Sequence, residues 1–539
     1  MRRSRPRLAA ALTAAALIVG CSSSVGGGAA PQSAVPAPSP SSLTAASSSH
    51  APASAPSSGS ARPTRPSPAT SPPPTAALPN PATQEPDGAK GTIGYAGIGD
   101  PYYPSAGNGG YQVDSYQIDL DYDPATNHLK ATARIKATVT SDEGLTQFDL
   151  DLQPSMRVTS VRVDDAEADF NQQHAELVIR PALALDRKAA MVIDVGYGGQ
   201  PTLIPGGTAG LGDGGWYRTQ AGGALAAGQP FSASAWYPVN EHPADQATFE
   251  VTATVPKKWQ VISNGVRQTA GLPDPGPGRS VFRWKITDPI ASYLTTLYID
   301  PFTVVTDALD DGTPIVSALG PSALDERQLA EDTKRVIEVL SGYFGPYPYH
   351  AAGGIYTGGS LGYSLETATR PVFDRSVDLD TLVHEQAHQW FGDDVAVERW
   401  SDICLNECFA SYAPWLWYAE VNGVDLDAYW KSQMARLVDD RQFWKSPLVD
   451  MGPGKEFTRV YTRGPLALHA LRKEIGDEAF LALLRGWPAT YGGKNASFDD
   501  LEAYVTKLAG RDLRPFMDAW FRGTTVPAAQ YRYPGDLGN

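Results

Sequence analysis

The chain has 539 residues, with 44 Lys and Arg against 59 Asp and Glu and a formal net charge of −15. That length exceeds what one hydrophobic core organises and predicts two folded domains plus accessory segments. The acidic balance excludes a nucleic-acid partner held through phosphates, and three cysteines, Cys21, Cys404 and Cys408, exclude a disulfide-framed fold.

Arg2, Arg3, Arg5 and Arg7 make a positive n-region ahead of an apolar run from Leu8 to Val19 that is too short for a permanent membrane span. The run ends in Ile18-Val19-Gly20-Cys21, which resembles the lipobox of bacterial lipoproteins. Residues 1–20 then read as a lipoprotein signal peptide and Cys21 as the lipidated first residue of the mature chain. The plainer alternative is an ordinary signal peptide, which wants a small residue three positions before the cut. Residues 21–88 are Ser-, Pro- and Ala-rich, and between Cys21 and Glu85 only Arg62 and Arg65 carry charge. Such a composition cannot bury enough apolar surface to fold and predicts a disordered tether. The expectation is an exported protein, anchored through Cys21 to the outer face of the cell membrane.

Residues 105–302 are predicted as an N-terminal β domain. Tyr116, Ile118, Leu120 and Tyr122 alternate with Gln117, Asp119, Asp121 and Asp123, the period of a half-buried strand. A turn over Asp123–Asn127 leads to a second period-two run from Leu129 to Val139, which completes a hairpin. Strands follow at Phe148–Leu152, Val158–Val163, Leu177–Ile179, Met191–Tyr197, Val251–Val255 and Phe282–Ile286, with no helical interruption, giving an all-β sandwich. The Pro- and aromatic-rich run from Gln229 to Phe249 lacks alternation and reads as a packed loop, with His242 a structural hydrogen-bonding histidine.

Residues 303–530 are predicted as the catalytic domain. Leu329, Val336, Ile337, Leu340 and Phe344 mark a helical face, with Ser322 as its N-cap and Gly345-Pro346 as its stop. A second helix spans Leu379 to Phe391, closed by Gly392, and carries His384-Glu385-Gln386-Ala387-His388. Residues four apart share a helix face, so His384 and His388 can present imidazoles to one metal ion, with Glu385 beside them to take a proton from water. Eighteen residues on from His388, Asn406-Glu407 can return a carboxylate on a third helix that starts near Ser401 and runs to Gly423. Two histidines, one glutamate and an open fourth position make a catalytic zinc site. Cys404 and Cys408 flank Glu407, and at helical spacing they read as buried, inert thiols rather than a disulfide. Further helices are predicted from Gly464-Pro465 to Ile475, over Asp477–Arg485, and from a capping box at Ser497 and Asp500.

His384 to Gly392, with Leu405-Asn406-Glu407 and Phe409-Ala410, resembles the aminopeptidase N family of gluzincins, which includes alanyl aminopeptidases and leukotriene hydrolase. Tyr237-Pro238 through Pro243 is similar to that family's β-domain motif, Phe344 to Tyr349 to its lead-in to the catalytic domain, and Val460-Tyr461-Thr462-Arg463-Gly464 to its tyrosine segment. The resemblance implies a β saddle followed by an α+β thermolysin-like zinc-peptidase domain. It implies one zinc ion on His384, His388 and Glu407, with Glu385 as general base and Tyr461 as oxyanion donor. Glu366, matching the glutamate of the family's Gly-x-Met-Glu-Asn motif, would bind the substrate's α-amine with help from Gln229. Two departures stand out: only the glutamate survives in Tyr363-Ser364-Leu365-Glu366-Thr367, and Phe231 replaces a second amine-binding polar residue. The chain ends 78 residues after Tyr461, so the family's large C-terminal helical domain is expected to be missing and the cleft open. The implied activity is removal of N-terminal residues from peptides. The alternatives are an open-cleft zinc endopeptidase or broader hydrolase, or a catalytically silent tethered binding protein.

Overall fold

A computed structural model describes residues 92–359 and 361–538. The signal peptide, Cys21 and the tether expected from the sequence lie outside the described residues. Among those residues no helix is long and apolar enough to cross a membrane.

The N-terminal part is built on an eight-stranded sheet. Its order is Val266–Gln268, Arg279–Ala291, Gln246–Pro256, Tyr111–Asp123, His128–Val139, Ala190–Gly199, Met156–Val163 and Ala166–Glu167. The predicted hairpin is there, Tyr111–Asp123 pairing antiparallel with His128–Val139. Its period-two pattern is reproduced in burial, with Tyr116, Ile118, Leu120 and Tyr122 inside and Gln117, Asp119 and Asp121 exposed. Each predicted strand is present and extends beyond its apolar nucleus, because strand pairing recruits flanking polar residues that have no pattern of their own. A five-stranded sheet, Leu203–Ile204, Gly214–Arg218, Ala224–Ala227, Leu297–Asp300 and Gln260–Ser263, completes the side that meets the catalytic part. The sequence reading missed this sheet entirely. Its Gly- and Ala-rich strands, such as Ala224–Ala227, are buried throughout and do not alternate.

The catalytic part opens on a hairpin, Thr303–Ala308 with Pro314–Leu319, where the sequence suggested a direct change to helix. Ile355–Tyr356 and Val372–Phe373 extend it in parallel. The helices are α1 (Arg327–Phe344), α2 (Leu379–Ala387), α3 (Cys404–Asn422), α4 (Leu426–Leu437), α5 (Arg441–Trp444) and α6 (Val460–Ile475). A 3-10 turn over Leu324–Glu326 precedes α1, so its N-cap is Glu326 rather than Ser322. The helix after α6, Asp477–Tyr491, runs six residues beyond the predicted Arg485. The predicted capping box at Ser497 and Asp500 is formed. The fold is thus a sheet-rich N-terminal domain followed by a mixed helical and sheet catalytic domain.

Arg370 joins the two parts. Fully buried, it donates from Nη1 to the carbonyls of Ser263 at 2.9 Å and Gly265 at 2.6 Å, and lies 4.8 Å over the Trp284 ring. Burial pulls its guanidinium down to about 9, and the carbonyls take the place of an acidic partner. His242, read as structural, shares Asp100 with the Trp400 amide at 3.1 and 2.9 Å.

Behind the site, His469 lies between the Tyr412 hydroxyl and Asp427, each at 2.9 Å. Burial, against the pull of Asp427, lowers its pKa to about 4. The unfolded chain therefore takes up a proton near pH 6.5 that the fold refuses. Stability is fully present above pH 6.5 and is lost as pH falls toward 4, by up to about 3 kcal/mol. His469→Gln is expected to flatten the fall in melting temperature between pH 6.5 and 4.5, measured by calorimetry.

Candidate active site

The metal-ligand trio is assembled from two helices. Asp378 caps α2 by accepting the Thr381 N–H at 2.9 Å. The helix ends at Ala387, four residues short of the sequence expectation, and His388 to Trp390 form a turn. The chain turns at Gly392, whose φ of +131° and closeness to His388 Nδ1 and the Asn406 amide leave no room for a side chain. α3 is apolar almost all round and buried from Cys404 to Ala413, the profile of a central core helix. Phe391 stacks on Phe409 at 4.6 Å and locks the turn after α2 to α3.

His384 Nε2 and His388 Nε2 lie 3.1 Å apart, and Glu407 Oε2 lies 3.4 and 3.5 Å from them. A tetrahedral ion with ligands at about 2.0–2.1 Å places them about 3.3–3.4 Å apart, so the triangle fits zinc. The His388 Nδ1–H donates to the Phe391 carbonyl at 3.0 Å, which turns the Nε2 lone pair inward. Ser411 Oγ holds His384 Nδ1 at 3.5 Å in the same way. Burial would raise the Glu407 carboxyl, but the two histidines outweigh it and hold it at about 2. Glu407 Oε2 nevertheless has no hydrogen-bond donor. Two facing imidazole nitrogens and a buried carboxylate oxygen without a donor are the environment of a cation.

Glu385 is buried among Glu366, Glu407 and His388. Burial first, then the neighbouring carboxylates, push its carboxyl well up, against the His388 charge. Glu366 accepts from Gln229 Nε2 at 2.8 Å and hydrogen-bonds the Tyr293 hydroxyl. Its carboxylate oxygen lies close enough to a Glu385 oxygen and a His388 ring nitrogen to share one bound group. Gln229 is set by a cis peptide to Pro230. It precedes a 3-10 turn whose amides, from Ser232 to Ser234, donate to the Glu241 carboxylate. The packed loop of the sequence reading thus carries one side of the site. Tyr461 lies on α6 with its ring 5.8 Å from that of His384. α6 begins at Val460, four residues before the predicted start, and takes Pro465 into its second turn.

Sequence reasoning missed two contributors and one covalent bond. Tyr293 reaches Glu366 and Asn406 from the β domain. Gln389 donates to the Glu366 carbonyl at 3.2 Å and to Asp393 at 2.8 Å, while accepting the Thr369 amide at 2.7 Å. It ties the amine-site loop to the residue after His388. Its adjacency to the histidine motif was the one signal available, and Tyr293 offered none. The third correction is chemical: Cys404 and Cys408 form a disulfide. Regular helical spacing argued against it. The 3-10 turn Trp400–Asp402 leads directly into the first turn of α3, where the two Cα atoms are 4.8 Å apart, within disulfide range.

α6 meets this bonded turn at Gly464, where an added Cβ would lie 2.7 Å from Cys408 Sγ and 3.0 Å from its Cα. Gly464→Ala is expected to force α6 off α3, costing about 1–3 kcal/mol of stability and displacing Tyr461. Thermal melts and kcat measured on the same variant check both effects.

A histidine pair at the end of one helix and a glutamate on the next, beside the buried Glu385, make a three-ligand group suited to a metal ion such as zinc. Residues 112–294 match the peptidase M1 N-terminal domain and residues 365–520 the peptidase family M1 domain. The chain belongs to peptidase family M1. It is 28% identical over 316 residues to aminopeptidase N of Streptomyces lividans, covering 52% of this chain and 36% of that one. It is 24% identical over 454 residues to leucyl aminopeptidase of Saccharolobus solfataricus, covering 79% and 55%. It therefore spans about a third to a little over half the length of these curated relatives. The solved M1 zinc metallopeptidase of Deinococcus radiodurans superposes with a TM-score of 0.72 at 28% identity, over 80% of this chain and 99% of that one. A mutant of that protein bound to a Tyr-Ser-Ala substrate gives a TM-score of 0.71.

Proposed function

We propose that the protein is a zinc-dependent aminopeptidase that removes N-terminal residues from peptides. The observation that carries this reading is the Gln229–Glu366 pair beside the metal-ligand trio. A buried carboxylate whose amide partner brings no charge has a cation as its best partner, and its closeness to Glu385 and His388 suits an ammonium one residue from the scissile bond.

His384, His388 and Glu407 would hold the zinc ion, which would supply Lewis-acid polarisation of the attacking water and the scissile carbonyl. Glu385 takes the proton from that water and delivers it to the departing amine, and the raised basicity that burial confers suits both steps. Tyr461, kept protonated by burial and by the surrounding carboxylates, donates to the developing oxyanion. Glu366 and Gln229 orient the α-amine so that only the first peptide bond reaches the metal.

The test is one peptide presented with a free and with an acetylated N-terminus. Cleavage of the free form alone supports the reading. Equal cleavage of both sinks it in favour of an endopeptidase with an open cleft, the reading favoured by Phe231 at the second amine-binding position. Glu366→Ala is expected to raise KM for the free peptide by roughly 10–100-fold, the worth of one charge-assisted contact.

The same proposal places the enzyme outside the cell membrane on a lipid anchor at Cys21, supported by the arginine-led apolar run that stops at that cysteine. Cys21→Ala is expected to move the protein from the detergent phase to the aqueous phase in a detergent-partition experiment. Partition of both forms into the detergent phase would remove the anchor.

A further inference from the structure

An aminopeptidase must hold the substrate's ammonium at a fixed distance from the metal, because that spacing decides which peptide bond is presented for cleavage. Here the two ends of that distance sit on separate segments. Glu366 lies in the loop between Leu365 and Val372, whose backbones exchange bonds of 2.9 and 2.7 Å. His388 caps the end of α2. The loop is tight. The Arg370 N–H donates to the Thr367 carbonyl at 3.1 Å, and Thr369 has a φ of +67°, a left-handed conformation that a β-branched residue adopts only when its surroundings hold it there.

On its β-domain side the loop is held at Ala368, whose N–H donates to the Leu294 carbonyl at 3.2 Å and whose carbonyl accepts from Asn264 Nδ2 at 2.7 Å. On its metal side it is held by Gln389, the residue after His388, which is fully buried. Gln389 Oε1 accepts the Thr369 N–H at 2.7 Å, and Nε2 donates to the Glu366 carbonyl at 3.2 Å and to the Asp393 carboxylate at 2.8 Å. The Asp393 N–H donates in turn to the His388 carbonyl at 3.0 Å. One amide thus grips both Glu366 and Thr369 while braced against the backbone of the metal ligand. The chemistry is specific to a primary amide. A carboxylate here would face two other oxygens, and a hydrocarbon would leave the buried Thr369 N–H unpaired.

We propose that Gln389 is a positioning residue of the peptidase reaction, one that sets the distance between the amine-binding carboxylate of Glu366 and the metal ligand His388. This rests on the aminopeptidase reading above and deepens it. Gln389 acts through Glu366 rather than by touching the substrate. Without its amide the loop keeps its bonds to Leu294 and Asn264 but loses its tie to the metal turn. Glu366 then meets the ammonium out of line, while His384, His388 and Glu407 keep their triangle.

The experiment uses the zinc-loaded full chain and two ligands titrated by calorimetry, L-leucine hydroxamate and its analogue lacking the α-amine. Both reach the metal through the hydroxamate and only the first offers an ammonium, so the ratio of their Kd values reads amine anchoring apart from the metal. In the wild type the amine is expected to tighten binding by roughly 10–100-fold. In Gln389→Leu that ratio is expected to fall by about tenfold, with the Kd of the amine-free analogue within about twofold of wild type. A purely structural role would weaken both ligands together, and that outcome, or an unchanged ratio, overturns the proposal. Should Gln389→Leu fail to fold, Gln389→Asn keeps the amide but shortens its reach by one methylene. A fall of at least about threefold in the ratio then supports the assignment, and no fall overturns it. Glu366→Ala separates the two readings. A ratio that ignores Glu366→Ala overturns the amine-binding reading and this one with it. A ratio that collapses in Glu366→Ala but ignores residue 389 overturns this one alone.

Discussion

Glu385→Gln is expected to lower kcat on an unblocked aminoacyl amide by about 10²–10⁴-fold while zinc stays bound. Glutamine keeps the volume and polarity of the side chain but has no oxygen basic enough to take the proton from water. Glu385 is not one of the three atoms that form the ligand triangle, so His384, His388 and Glu407 keep their positions. The variant also removes one of several buried carboxylates that repel one another, which favours the fold rather than opposing it. Steady-state rates paired with zinc content by elemental analysis check the outcome. A wild-type kcat at full zinc occupancy would reassign the base.

His388→Ala is expected to abolish both zinc binding and activity, and to remove the response of the melting temperature to zinc. Two protein ligands do not fix a tetrahedral ion, and the substitution leaves Glu366, Glu385 and Glu407 buried without the imidazole whose charge acts on all three. In the wild type, free zinc at about a hundredfold its Kd stabilises the folded state by about 2.7 kcal/mol. The variant is expected to show none of that gain when melted with and without the metal. A zinc-dependent rise in its melting temperature would place the ion elsewhere.

Both outcomes were foreseeable in outline from sequence, for local reasons. His384 and Glu385 are placed by the period of α2, His388 by its C-cap and the nearby Phe391 carbonyl, and the hairpin at Tyr111–Val139 by period two, so none of them depends on a distant partner. Glu407 required only that a second helix return eighteen residues later. The sheet strands without alternation, such as Ala224–Ala227, were not legible, because a strand buried on both faces has no polar side to mark its period. The hairpin that opens the catalytic part was passed over because the helical face of α1 dominates the surrounding pattern. The Cys404–Cys408 bond was misjudged because the expectation assumed regular helical spacing, whereas in the first turn of α3 the two Cα atoms lie 4.8 Å apart.

The amino-acid sequence by itself determined that His384, His388 and Glu407 could meet with Glu385 beside them, and the order of a sheet-rich domain before a mixed helical and sheet one, since each is written in local spacing and period. The tertiary structure alone decided what surrounds them. Gln229 and Glu366 are 137 residues apart, Asn406 and Tyr293 are 113 apart, and Tyr103 and Glu456 are 353 apart. Contacts of that range leave no periodicity in the chain. They exist because Arg370, Asp100 and the aromatic core hold the two parts together, which brings Gln229 and Glu366 up to Glu385 and His388.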